Sequence, residues 1–173
     1  ILCVDTSGSM EGAAEQVAKA LVLEAMRVAH AQKRACYVYA FSGPDEVIER
    51  EFAFDLPGID SLLDFMTQSF NGGTDISEPL ERALNRLEDA AWQCADLLIA
   101  SDGEFGAPPP IAARVRAARE NLGLRVQGVL IGDRETIGLI ELADDIFWVG
   151  DWRRYGAGGD IPIHDKSLTA MYF

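Results

Sequence analysis

Positive charge is scarce in this chain. Its 173 residues carry 15 lysines and arginines against 28 acids, a net charge of −13. Sequence-independent nucleic-acid binding rests on neutralising phosphates, so the balance argues against that class. It suits a cation or a basic protein surface as partner, or simply solubility. Long apolar runs are also missing. None approaches the roughly 20 residues that a membrane-spanning helix needs. There is no G-x-x-x-x-G-K phosphate loop, no Asn-x-Ser/Thr sequon and no secretory signal. Histidine occurs twice, and His30 reads as a satisfied or solvated helix-terminal residue. The three cysteines, Cys3, Cys36 and Cys94, follow no metal spacing. They read as reduced small hydrophobes of a cytosolic protein. The chain begins at Ile1 with no initiator Met, and Ile1 already reads as strand. The expectation is one domain taken from a longer protein.

What is present alternates. Residues 1–4, Ile-Leu-Cys-Val, read as a fully buried strand. From 11 to 32 the apolar positions Ala14, Val17, Ala18, Leu21, Ala25 and Val28 make one helical face. Residues 35–41 are a second buried strand. A turn at 42–45 leads to a charged, loosely alternating strand over 46–54, so that pair is an antiparallel hairpin at a sheet edge. Helices are expected over 57–70, 76–91, 111–121 and 136–143, and further strands over 96–100, 124–131 and 146–149. Gly123 reads as a left-handed cap. Strands alternating with helices predict an α/β fold, a doubly wound and mostly parallel sheet with helices on both faces. Residues 1–150 form the domain. Residues 151–173 read as a C-terminal tail that packs on it or on other parts of the parent protein.

Three exits carry oxygen. Asp5, Ser7 and Ser9 follow the first strand, Thr74 sits in Asn-Gly-Gly-Thr-Asp, and Asp102 follows the strand over 96–100. Carboxylates and hydroxyls without imidazole or thiolate suit a hard cation and disfavour zinc and copper. If Asp5 and Asp102 approach to ~5 Å, their repulsion at an effective dielectric near 20 is about 3 kcal/mol. A cation or a proton belongs between them. Magnesium fits best, because it keeps waters and needs few protein ligands. A helix cap made by Asp5 to Ser9 is the plain alternative. Glu104 reads as a cap or a solvated acid rather than an outer ligand.

The set Asp5-x-Ser7-x-Ser9, Thr74 in Gly-Gly-Thr-Asp and Asp102 in Ser-Asp-Gly resembles the metal-ion-dependent adhesion site (MIDAS) of von Willebrand factor A (VWA) domains. The resemblance covers residues 1–150. It implies a Rossmann-like sheet of order 3-2-1-4-5-6 with strand 3 antiparallel. It also implies hydroxyl ligation of Mg2+ by Ser7, Ser9 and, depending on conformational state, Thr74. Mn2+ or Ca2+ are possible substitutes. Asp5 and Asp102 act directly or through water, and a partner's Asp or Glu completes the shell. Cys-Val-Asp-Thr-Ser-Gly-Ser-Met, Glu15-Gln16-x-Ala18-Lys19-Ala20 and Arg34-x-Cys36-Tyr37 are similar to intracellular ViaA-type members, which work with MoxR-type AAA+ ATPases.

The expected function is therefore a non-enzymatic, metal-dependent protein-binding module, cytoplasmic or in an organelle interior. Alternatives are a chelatase-type subunit, an extracellular adhesion domain, or a magnesium-dependent hydrolase with Asp5 as nucleophile. The hydrolase lacks support, because position 7 is serine and no histidine lies near the three loops.

Overall fold

A computed structural model describes residues 1–53, 55–103, 105–132 and 137–149. Glu104, Thr136 and the expected tail lie outside the described residues. Among the described residues six strands form one sheet: β1 (Leu2–Asp5), β2 (Cys36–Phe41), β3 (Val47–Phe52), β4 (Leu97–Ser101), β5 (Val126–Ile131) and β6 (Asp145–Val149). Their order is β3-β2-β1-β4-β5-β6. All pairs are parallel except β2 with β3. The hairpin expectation holds because only five polar and turn-forming residues, 42–46, separate the two strands. Cys36 pairs with Phe52 and Phe41 with Val47.

Among the described residues five helices cover the sheet: α1 (Ala13–Ala31), α2 (Leu56–Thr67), α3 (Ser77–Leu87), α4 (Pro109–Leu122) and α5 (Ile137–Leu142). Alternation along β1 sends Leu2 and Val4 to one face and Cys3 to the other. Leu2 and Val4 join Ala18 and Val22 of α1 and Leu62 and Phe65 of α2. Cys3 joins Leu80 and Leu84 of α3, Val115 of α4 and Leu139 of α5. Each fully buried large side chain contributes about 1.5–3 kcal/mol by leaving water. No helix among the described residues is long and apolar enough to cross a membrane.

Local chemistry moved several boundaries. A short 3-10 turn, Gly8–Met10, precedes α1, which starts at Ala13 because Gly12 sits at φ 87°. Pro109 opens α4, where its missing N–H costs nothing. Gly123 ends that helix in the left-handed region at φ 67°. α3 stops at Leu87, short of the expected 91. Asp89 accepts the Ala91 N–H at 3.1 Å and so closes its own turn. Trp92 then packs edge-on against Tyr37, with ring centroids 5.8 Å apart. Of the cysteines, Cys3 and Cys36 are buried as expected, but Cys94 is exposed, because it lies in this loop rather than in a helix face.

Candidate metal centre at the strand exits

β1 is bonded to β2 on one side and β4 on the other. Chain connections therefore leave the β1 and β4 ends in opposite directions, and a crevice opens outside their carboxyl ends. Asp5 is the last residue of β1 and Ser101 the last of β4. Asp5 is fully enclosed, at 0% exposure. Its Oδ1 accepts the Ser7 N–H at 2.9 Å. Its Oδ2 accepts the Ser101 hydroxyl at 2.5 Å. Burial pushes the Asp5 carboxyl above its ordinary value, the hydrogen bonds from Ser101 and Ser7 pull it back, and the Asp102 charge pushes it up again. That last effect brings Asp102 and Asp5 into one electrostatic neighbourhood.

The hydroxyls follow the turn. Ser7 Oγ lies 3.0 Å from Ser9 Oγ. Ser7 is buried and Ser9 exposed, so the pair runs from the crevice to the surface. The turn closes because the Met10 N–H reaches the Ser7 carbonyl at 3.1 Å and the Glu11 N–H reaches that of Gly8 at 3.2 Å.

The Thr74 loop is brought to the same rim by its backbone. The Asn71 N–H donates to the Thr6 carbonyl at 2.8 Å, the Gly8 N–H to that of Gly72 at 3.0 Å, and the Asp75 N–H to that of Ser42 at 2.7 Å. Gly72 is needed there. Its φ is 93°, and a Cβ would lie 2.9 Å from Glu46 Oε2. Glu46 is itself fixed by the Ser42 hydroxyl at 2.7 Å and the Gly43 N–H at 2.9 Å. Thus Asp5, Ser7 and Ser9 form one hydrogen-bonded chain, Asp102 acts on it by charge, and Thr74 shares its rim.

This donor set fits a hard divalent cation. Among the described residues no three His, Cys, Asp or Glu side chains gather into a metal-holding group. A cation at this crevice would therefore rest on hydroxyl oxygens beside two carboxylates. A carboxylate whose charge is disfavoured by burial and by a second acid is a site where positive charge is favourable. Both Asp5 oxygens already accept a hydrogen bond, which suits contact through water. Ser101 was missed in the sequence, where a serine ending an apolar strand looks like ordinary β composition. Its only signal is its place directly before Asp102.

The family model of the von Willebrand factor type A domain matches residues 1–104. Over 102 residues the chain is 44% identical to the regulatory protein ViaA of Edwardsiella ictaluri (strain 93-146). That match takes in 59% of this chain and 20% of ViaA, so the chain spans about one fifth of that relative's length. The solved SpRpn10 VWA domain superposes with a TM-score of 0.64 at 11% identity, covering 86% of each chain. BatB from Bacteroides thetaiotaomicron gives 0.64 at 16% identity, over 89% of this chain and 91% of that one. These two structures speak for the fold alone; the sequence match and the sheet order together show that the chain belongs to the von Willebrand factor type A family, and within it the chain is similar to a ViaA-type regulatory protein.

Proposed function

We propose that this domain is a metal-dependent protein-interaction module without catalytic activity. The observation that carries the reading is the fully enclosed Asp5 carboxylate, joined to Ser7 and lying under the Asp102 charge at the crevice. Asp5, Ser7, Ser9, Thr74 and Asp102 are the proposed ligands of Mg2+. Bound there, the ion supplies a positive charge that draws a carboxylate from another protein. Asp5 and Asp102 neutralise it, Ser7 and Ser9 offer neutral oxygens, and the Thr74 loop sets the rim. With the carboxylates only balancing its charge, and neutral hydroxyls and water as direct donors, the ion keeps an open position that favours an acidic partner residue, even on a chain of net charge −13.

The partner we propose is a MoxR-type AAA+ ATPase, and the cytoplasm its place. The support is the ViaA relative, which is named a regulatory protein. A hydrolytic reading has less behind it. His30 bonds the Phe52 carbonyl at 3.1 Å, at the opposite end of the β2–β3 hairpin from the crevice. The test is a pull-down of the ATPase by the full-length parent protein. Capture is expected with Mg2+, and loss is expected with EDTA or with Asp5→Ala. Equal capture under all three conditions would overturn the reading.

A further inference from the structure

Lys19 sits on α1 and is 5% exposed, yet it is a charged residue packed beside Ala18 and Val22 of the core. Burying an ammonium costs several kcal/mol unless its donors are met. Here they are met three ways. Lys19 Nζ donates to Glu15 Oε1 at 2.5 Å and to the Gln68 carbonyl at 2.6 Å. It also lies 5.3 Å from the centre of the Phe70 ring. Glu15 is one turn earlier on α1, with its side chain 14% exposed. This is the Glu15 to Lys19 stretch that stands out in the sequence and has no part in the ligand set.

The two groups held by Lys19 are placed in a particular segment. Gln68 caps the end of α2 and turns the chain extended at ψ 133°. Phe70, 3% exposed, follows. Asn71 and Gly72 then bond to Thr6 and Gly8, and Thr74 comes next. α1 itself begins at Ala13, separated by two residues from the Asp5 to Met10 turn. Lys19 therefore ties the helix that leaves one ligand loop to the strand of chain that enters the other.

We propose that Lys19, neutralised by Glu15, is a positioning residue that fixes the Thr74 loop against the Ser7 and Ser9 hydroxyls. The proposal rests on the metal reading for its consequence and on the hydrogen bonds alone for its mechanism. An apolar residue of the same length would fill the volume and satisfy the core. It would not hold the Gln68 carbonyl or the Phe70 ring, so the loop would keep only its backbone bonds at the rim.

The experiment compares the wild-type domain with Lys19→Met and with Lys19→Met/Glu15→Gln, which leaves no uncompensated carboxylate. Hydrogen exchange of the metal-free proteins is read at the Asn71 and Asp75 amides. Both variants are expected to exchange there about tenfold faster while the β1 and β4 amides stay protected. Mn2+ titration is then expected to show about tenfold weaker binding, the size of coupling found within one network. In a Thr74→Ala background the same Lys19 change should cost little further affinity. Unchanged exchange at Asn71 and Asp75 overturns the proposal, and so does an equal affinity loss with and without Thr74. A wild-type domain that binds no Mn2+ overturns the metal reading instead, and the exchange result still decides whether Lys19 positions the loop.

Discussion

Ser101 and Asp5 are joined across the β1–β4 seam by a 2.5 Å hydrogen bond in which the serine donates. Both residues are fully enclosed, at 0% exposure. The same hydroxyl accepts the Gly103 N–H at 2.9 Å. One small side chain thus ties the turn after β4 to the carboxylate that ends β1.

Replacing Ser101 with alanine removes a donor from a buried carboxylate and leaves the Gly103 N–H unmet. A loss of about 1–3 kcal/mol is expected for such orphaned groups. Urea denaturation of the metal-free domain measures it. The loss should be smaller in an Asp5→Asn background, where no charge needs the donor. Equal losses in the two backgrounds would show that the hydroxyl supports only the turn.

The Thr74 loop makes a second prediction through its glycines. Gly72→Ala places a Cβ at φ 93° and 2.9 Å from Glu46 Oε2. Strained backbone of this kind costs about 1–3 kcal/mol. Gly106→Ala meets nothing within 4 Å, so little change is expected there. Thermal melts of the two variants separate the effects. A Gly72→Ala protein as stable as Gly106→Ala would mean that the loop is not fixed against Glu46.

The sheet was legible because its strands are short apolar runs ending in polar turns. Leu97 to Ser101 and Val126 to Ile131 bear no other reading in an alternating chain. Asp5, Ser7 and Asp102 could be picked out because strand exits in such folds converge on one edge. Ser101 and Lys19 could not. A serine at a strand end and a lysine among helical alanines look like solvated filler until their partners, 96 and 49 residues away, are known. The end of α3 was misjudged for a related reason. Ala90 and Ala91 favour helix, but the Asp89 side chain and the docking of Trp92 win.

The cysteines give a third prediction. Burial pushes the Cys3 thiol up to about 12 and raises that of Cys36 as well. The thiolate is the reactive form. Cys94 is exposed. Titration with a chromogenic disulfide should release about one equivalent quickly from the native domain, with the rest released only on unfolding. Rapid release of all three would contradict the packing of β1 and β2.

Asp5 sets opposite responses to pH and to metal. In the metal-free domain its carboxyl lies above the unfolded value, chiefly because it is buried. Its stabilising contribution is then fully present below the unfolded pKa, about 4, and is lost as pH rises through the folded one. At neutral pH the ionised group weighs against folding. Asp5→Asn should therefore melt at or above the wild-type temperature without metal, with the difference growing from pH 4 to 7. Magnesium, if it binds as proposed, should reverse the order. At one hundred times its dissociation constant it adds about 2.7 kcal/mol, a rise of roughly 5–10 °C for a domain of this size. Asp5→Asn should show little of that rise. Differential scanning calorimetry with EDTA and with Mg2+, at both pH values, checks the pair of signs. A wild-type melting temperature that stays above Asp5→Asn in EDTA at pH 7 would mean that the Ser7 and Ser101 hydrogen bonds outweigh burial at this carboxylate.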